Sequence, residues 1–215
     1  MKSEINSKIK LQNPCINQQY LDKTLIFAKE QNRKYGATIH SLWDSKDSQK
    51  KCFEDLFKIG DLNNKSILDL GCGFGDLYQF LIDNNIHIKD YLGVDICQEF
   101  IDIAKTKYPY TNFEVRNIYK NPFNESEFDY VIASGIFSIP IKGWDIQLIS
   151  AIDLLLYFSR IGIGFNLLVS EKPIEYPLYY STMEIINPIL RKFNPKIIEN
   201  KVMDSVTIFI NKNEV

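Results

Sequence analysis

The chain has 215 residues, 45% of them hydrophobic and 24% charged, which suits one soluble globular unit with a full core. Its net charge of −2 and its lack of any Lys/Arg stripe speak against a nucleic-acid backbone as partner. No run reaches the roughly 18 apolar residues of a membrane span, and the first fifteen residues lack the apolar core of a signal peptide, so a cytoplasmic location is expected. Cys15, Cys52, Cys72 and Cys97 form no C-x-x-C pair and do not cluster with His40 or His87. They read as reduced thiols, and no metal site is expected.

The first sixty residues read as helical. Tyr20, Leu21, Thr24, Leu25 and Ala28 recur at helical spacing, Gly36 breaks the pattern, and a second helix is expected from Asp47 to Ile59. That helix buries Cys52, Phe53, Leu56 and Phe57, with Ser45 or Asp47 as its cap. From Lys65 onward, strands alternate with helices: strand at 65–71, helix from 76, strand at 90–96, helix at 98–108, strands at 111–118 and 128–136, helix at 143–159, strand at 160–170. Near-continuous apolar strands between helices predict a mostly parallel sheet covered on both faces. Ser181 with Glu184 offers a capping box for a last helix limited by Pro188. Two strands, 195–202 and 204–212, then follow across a short turn and predict an antiparallel hairpin.

One stretch stands out. Residues 66–77 read SILDLGCGFGDL, with three glycines in five residues between a strand and a helix. Glycine at the carboxyl end of a parallel strand lets a ligand lie against the backbone. A dinucleotide site needs G-x-G-x-x-G, and its third glycine would fall on Asp76. A carboxylate at the helix start would repel a pyrophosphate, and Asp69 just before the turn adds to that charge. A phosphate-free ligand carrying an ammonium and a sulfonium suits such a site.

Asp69, Gly71, Gly73 and Gly75 resemble motif I of the class I S-adenosylmethionine-dependent methyltransferases, written acidic-x-Gly-x-Gly-x-Gly. The resemblance runs from about Lys65 to the final hairpin. It implies an α/β, Rossmann-like fold with a seven-stranded, mostly parallel sheet, and S-adenosylmethionine as cofactor over Gly71, Cys72, Gly73 and Gly75. Two domains are expected: an N-terminal helical cap or lid, 1–60, and the cofactor-binding domain, 61–215. At the family's ribose-binding position stands Asp95, whose two oxygens can accept both hydroxyls; its other reading is a helix cap. Ile96 would then pack on the adenine. Where the family often places an acid for the adenine amino group, this chain has Asn117, equally readable as a loop former, followed by Ile118. Ser134 falls beside the methionine part. No Asn/Asp-Pro-Pro-Tyr sequence follows the fourth strand, which counts against nucleobase methylation.

The helices before Gly60 have no place in the sheet and are expected to cover its carboxyl edge, bringing Tyr35 and Trp43 to the cofactor. His40 in the same loop is a candidate base, or a surface histidine. Asn166, polar within an apolar strand, is a candidate substrate contact, or a structural hydrogen-bonding residue. Asp129 and His87 read as structural. Tyr176, Tyr179 and Tyr180 could line a pocket or pack the core. The expected function is methyl transfer to an oxygen or nitrogen of a small molecule, in tailoring a surface glycan, a capsule precursor or a secondary metabolite. The alternatives are an RNA or protein methyltransferase, or a non-catalytic protein that binds the cofactor as a regulator or scaffold.

Overall fold

The structure, a computed structural model, describes residues 14–174, 178–201 and 203–215, with side chains from Asn17 onward. The first thirteen residues of the expected cap, the Cys15 side chain, Tyr176 and Val202 at the end of an expected strand lie outside the described residues. Helix α1 (Pro14–Tyr35) and α2 (Lys46–Leu56) precede β1 (Ser66–Leu70), α3 (Asp76–Asp83), β2 (Asp90–Asp95), α4 (Gln98–Lys107), β3 (Asn112–Val115), β4 (Phe128–Ala133), α5 (Trp144–Phe158), β5 (Ser159–Leu168), α6 (Met183–Leu190), β6 (Lys196–Asn200) and β7 (Ser205–Asn211).

The seven strands form one sheet in the order β3-β2-β1-β4-β5-β7-β6. The five N-terminal strands pair in parallel, and β7 inserts antiparallel between β5 and β6. The order reverses between β1 and β4, which leaves a crevice outside their carboxyl ends. The strand-helix alternation and the closing hairpin follow the sequence pattern, with bounds shifted by a few residues at the ends.

The sheet buries two apolar layers. One holds Leu68, Val131, Leu148, Ile152, Leu155 and Ile163 beneath α5 and α6. The other holds Phe53, Leu56, Ile67, Leu81 and Ile101 beneath α2, α3 and α4. Helix α5 is apolar on most sides and buried to match, since the sheet, α1 and α6 all press on it. Each fully buried Leu or Ile there contributes about 1.5–3 kcal/mol.

Caps set several boundaries. Ser45 caps α2 reciprocally with Ser48, so the expected Ser45 cap is the one used. At α6 the cap is Thr182, whose hydroxyl accepts from the Ile185 amide. The expected Ser181 cap is therefore corrected: Ser181 is fully buried one residue upstream, and its Oγ has no partner among the described residues. Asp129 is structural, accepting from the Ser66 amide at 2.9 Å and from Arg160 at 2.5 Å. Cys52, Cys72 and Cys97 are buried free thiols.

Helix α1 has no counterpart in the sheet and crosses its carboxyl edge from one face to the other. Near its start, Asn17 Nδ2 donates to Ser150 Oγ of α5 at 3.0 Å. Further along, Lys23 Nζ donates to the Pro140 carbonyl at 3.0 Å. Its later turns bring Leu25 and Ala28 against Phe74, Cys97 and Phe100 on the opposite face.

Candidate functional site

The turn after β1 is tied down from two sides. The Gly71 and Cys72 amides donate to the Val94 carbonyl at 2.7 and 3.0 Å. The Gly73 amide donates to Asp95 Oδ2 at 3.1 Å, while Asp95 Oδ1 accepts from the Cys97 amide at 2.9 Å. Both readings of Asp95 thus meet in one side chain: it braces the turn at the head of α4 and also lines the central cavity. A carboxylate offers about four acceptor sites, so two remain for a ligand. Burial raises its pKa, while the Cys97, Gly73 and Ile96 amides pull it back down.

Gly71 (φ +75°) and Gly73 (φ +52°) hold backbone that side-chain-bearing residues rarely adopt. A Cβ on Gly71 would come within 2.1 Å of Ile136 Cγ2, and one on Gly73 within 2.6 Å of Leu42 Cδ1. Two hydrophobic side chains, from the segments after β4 and before α2, therefore lie directly on the turn.

Asp69 faces away from the cavity. Its side chain is buried among the α3 and α4 layer, where the Tyr91 hydroxyl donates to Oδ2 at 2.5 Å. Desolvation pushes this carboxyl up to about 7, against the pull of Tyr91. Its place beneath the turn makes it a support for the glycines.

The cavity measures about 580 Å³, counted out to its open mouth. Its floor comes from the strand ends: Leu70, Gly71, Asp95, Ile96, Arg116 and Ile118. Its roof and far wall come from α1, with Tyr20, Leu21 and Thr24, and from the β4–α5 region, with Ile136, Phe137, Gln147 and Ala151. Of the sequence-predicted site residues, Gly71, Asp95, Ile96 and Ile118 meet here.

Others do not meet there. Asn117 turns its carboxamide oxygen back to the Tyr119 and Lys120 amides at 3.0 and 3.1 Å, capping a tight turn outside the cavity. Asn166 is buried at the end of β5 and both ends of its amide are used. Its Oδ1 accepts from the Gly135 amide at 2.7 Å and its Nδ2 donates to Ser134 Oγ at 3.2 Å. That clamp joins β4 to β5 and leaves Ser134 and Asn166 outside the cavity lining. Tyr35 and His40 are exposed beside each other, ring centroids 6.2 Å apart, away from the cavity. Trp43 packs edge-on against Phe53, near enough to Gly135 that a Cβ there would touch its ring at 3.5 Å. Cys72 is buried within the turn, and its thiol stays protonated through burial.

Three polar residues of the roof and wall escaped the sequence reading. Tyr20 and Gln147 are almost wholly buried, yet the Tyr20 hydroxyl and Gln147 Oε1 have no partner among the described residues. Gln147 Nε2 donates to the Tyr119 hydroxyl at 3.3 Å. Gln147 carried little signal of its own, because its helix also holds Asp145, Ser150 and Asp153 among the apolar residues.

A family model described as a methyltransferase domain matches residues 67–153, which span β1 to the middle of α5 and hold most of this floor. A Mycobacterium tuberculosis (strain ATCC 25618 / H37Rv) protein, Rv1506c, provisionally named a methyltransferase, is 35% identical over 126 residues, covering 54% of this chain and 72% of its own. The chain belongs to the class I S-adenosylmethionine-dependent methyltransferase family. Its fold is shared with magnesium protoporphyrin IX methyltransferase from Synechocystis PCC 6803, solved with S-adenosylhomocysteine (15% identity, TM-score 0.62, 89% of this chain and 97% of that one). It is also shared with the N-methyltransferase NodS from Bradyrhizobium japonicum WM9, solved with the same product (14% identity, TM-score 0.63, 86% and 97%). As a member of that family, this methyltransferase takes S-adenosylmethionine as its cofactor. The residues fit that group: an acceptor with spare lone pairs at Asp95, backbone free of Cβ atoms at Gly71 and Gly73, and orphaned polar atoms within an otherwise apolar chamber. Among the described residues no cluster could hold a metal ion, and no helix is long and apolar enough to cross a membrane.

Proposed function

We propose that this chain methylates an oxygen or nitrogen of a small molecule, in the tailoring of a surface glycan, a capsule precursor or a secondary metabolite. The observation that carries the small-molecule reading is the course of α1. Tyr20, Leu21 and Thr24 roof the cavity, and Asn17 and Lys23 fasten the helix on the α5 side. A chamber roofed in this way favours an acceptor small enough to enter beneath α1 over a folded RNA or protein. The Synechocystis enzyme that shares this fold is named for a porphyrin, a small molecule of the same broad class.

The cofactor supplies an electrophilic methyl group on a sulfonium. Asp95 would hold the ribose hydroxyls, Ile96 and Ile118 would flank the base, and the Gly71–Gly75 turn would carry the amino-acid part. Leu42 and Ile136 shield that turn from water and Trp43 covers the neighbouring Gly135, so the lid of this reading is α1 together with the segment between α1 and α2. Exclusion of water and alignment of the acceptor then account for most of the rate. Tyr20 and Tyr119 are neutral at physiological pH, because burial pushes Tyr119 up to about 12 and Tyr20 further still. Asn166 acts as scaffold, and exposed His40 lies outside the chamber, so the proposal assigns neither a catalytic part.

Incubation with methyl-labelled cofactor and fractionated cell extract tests the reading. Label is expected in the small-molecule fraction. Label in RNA or protein alone would overturn the substrate class, and cofactor binding without transfer to any fraction would return the chain to a regulatory or scaffold role.

A further inference from the structure

The floor of the cavity accounts for ribose and for the faces of a base, but not for the base's edge. Asn117, where the family often places its reader of the adenine amino group, spends its oxygen on its own turn. The adjoining wall holds two unspent groups. Gln147, on the first turn of α5, is 1% exposed, and Tyr20 on α1 is 3% exposed. Each ends in an atom without a partner among the described residues, and both line the cavity. Leaving such atoms buried and unmade destabilises the empty site, and a ligand bearing the complementary groups would recover that cost.

The chemistry of the pair narrows the ligand. Gln147 spends its amide nitrogen on the Tyr119 hydroxyl and so offers its oxygen as a free acceptor, and Tyr20 offers a free donor. Adenine presents along one edge a 6-amino donor beside the N1 acceptor. The pair is uncharged. The nearby cation, Arg116, is taken up by Glu114 and by the Asn121 carbonyl, so nothing at this end calls for an anionic group. Position agrees as well. Ile96 and Ile118 come from the ends of adjacent strands, and Tyr119, the residue after Ile118, is the one that holds the Gln147 amide.

We propose that Gln147 and Tyr20 read the adenine edge, Gln147 accepting from the 6-amino group and Tyr20 donating to N1. This rests on the cofactor assignment of the floor. The base is thereby read by two helices that lie outside the strand-end motifs, and the roof helix becomes part of the cofactor site as well as its cover.

Calorimetry with two ligands tests this: S-adenosylhomocysteine, and its purine-riboside analogue in which hydrogen replaces the 6-amino group. The wild-type chain should prefer S-adenosylhomocysteine by about tenfold. Gln147→Met should bring S-adenosylhomocysteine down to the affinity of the analogue and leave the analogue's own affinity unchanged. Tyr20→Phe should weaken both ligands by the same factor, since both keep N1. If Gln147→Met weakens both ligands equally, or neither, Gln147 does not read the amino group and the inference falls. Should that variant not fold, Tyr20→Phe carries the test, and unchanged affinity for both ligands overturns it. A wild-type chain that binds neither ligand overturns the cofactor assignment beneath, and this inference with it.

Discussion

Two buried carboxamides mark two different regions of this methyltransferase. Asn166, at the end of β5, has each end of its amide bonded, to the Gly135 amide and to Ser134 Oγ. Gln147, on α5, is buried as deeply, and its oxygen has no partner among the described residues. Burial alone does not separate a scaffold residue from a ligand-facing one; the count of satisfied lone pairs and donors does. The scaffold amide holds the protein together without ligand, while the other leaves an acceptor free for the adenine amino group proposed above.

The sharpest way to break this contrast is Asn166→Ala. It strands the Gly135 amide and the Ser134 hydroxyl and leaves a void, so unfolding free energy in urea should drop by about 2–4 kcal/mol. Gln147→Met strands the Tyr119 hydroxyl but also removes the unpartnered Oε1, so the two effects offset and the loss should be less than about 1 kcal/mol in the same assay. Equal losses in the two variants would erase the distinction.

Asp95 lies between the two cases, with two acceptor sites spent on the Gly73 and Cys97 amides and two to spare. Asp95→Ala should lower both stability and affinity for S-adenosylhomocysteine. The affinity loss should be about 2–3 kcal/mol, or about 30-fold to 150-fold, by calorimetry. A loss of stability with no change in affinity would make it a helix cap only.

Asp69 extends the comparison to charge. Its folded-state pKa, about 7, lies above the unfolded value because burial disfavours the carboxylate. The folded chain therefore holds more protons than the unfolded chain between about pH 4 and pH 7. The contribution is full below about pH 4 and is lost as pH rises through 7, with a slope of up to about 1.4 kcal/mol per pH unit. Urea titrations across that window should show the fall, and Asp69→Asn, which keeps an acceptor for Tyr91, should flatten it. An unchanged slope in the variant would place the titrating group elsewhere.

The smallest expected effect is local. A ligand on the glycine turn must displace Ile136 and Leu42, so hydrogen exchange within 33–47 and 134–143 should change on adding S-adenosylhomocysteine. Equal exchange with and without ligand would mean that these segments do not cover the cofactor.

The sequence by itself determined the frame. Strand and helix periods between Lys65 and Asn211, the three glycines and the acid closing β2 are local signals, because hydrophobic period, positive φ and strand-end position are set by neighbouring residues. Family membership was legible in the same few positions. The tertiary structure decided which polar groups are spent. Asn117 and Asn166 look available in the sequence and are consumed by backbone amides; Tyr20 and Gln147 look like core residues and are left open. Asn117 is spent locally, on amides two and three residues on, as its loop-forming reading allowed; the Asn166 clamp depends on the pairing of β4 with β5, and the open groups depend on how α1 crosses the sheet edge and where α5 meets it. Hydrogen-bond satisfaction between residues more than a hundred positions apart, like the distance from Asn17 to Ser150, is fixed by packing and leaves no local trace in the chain.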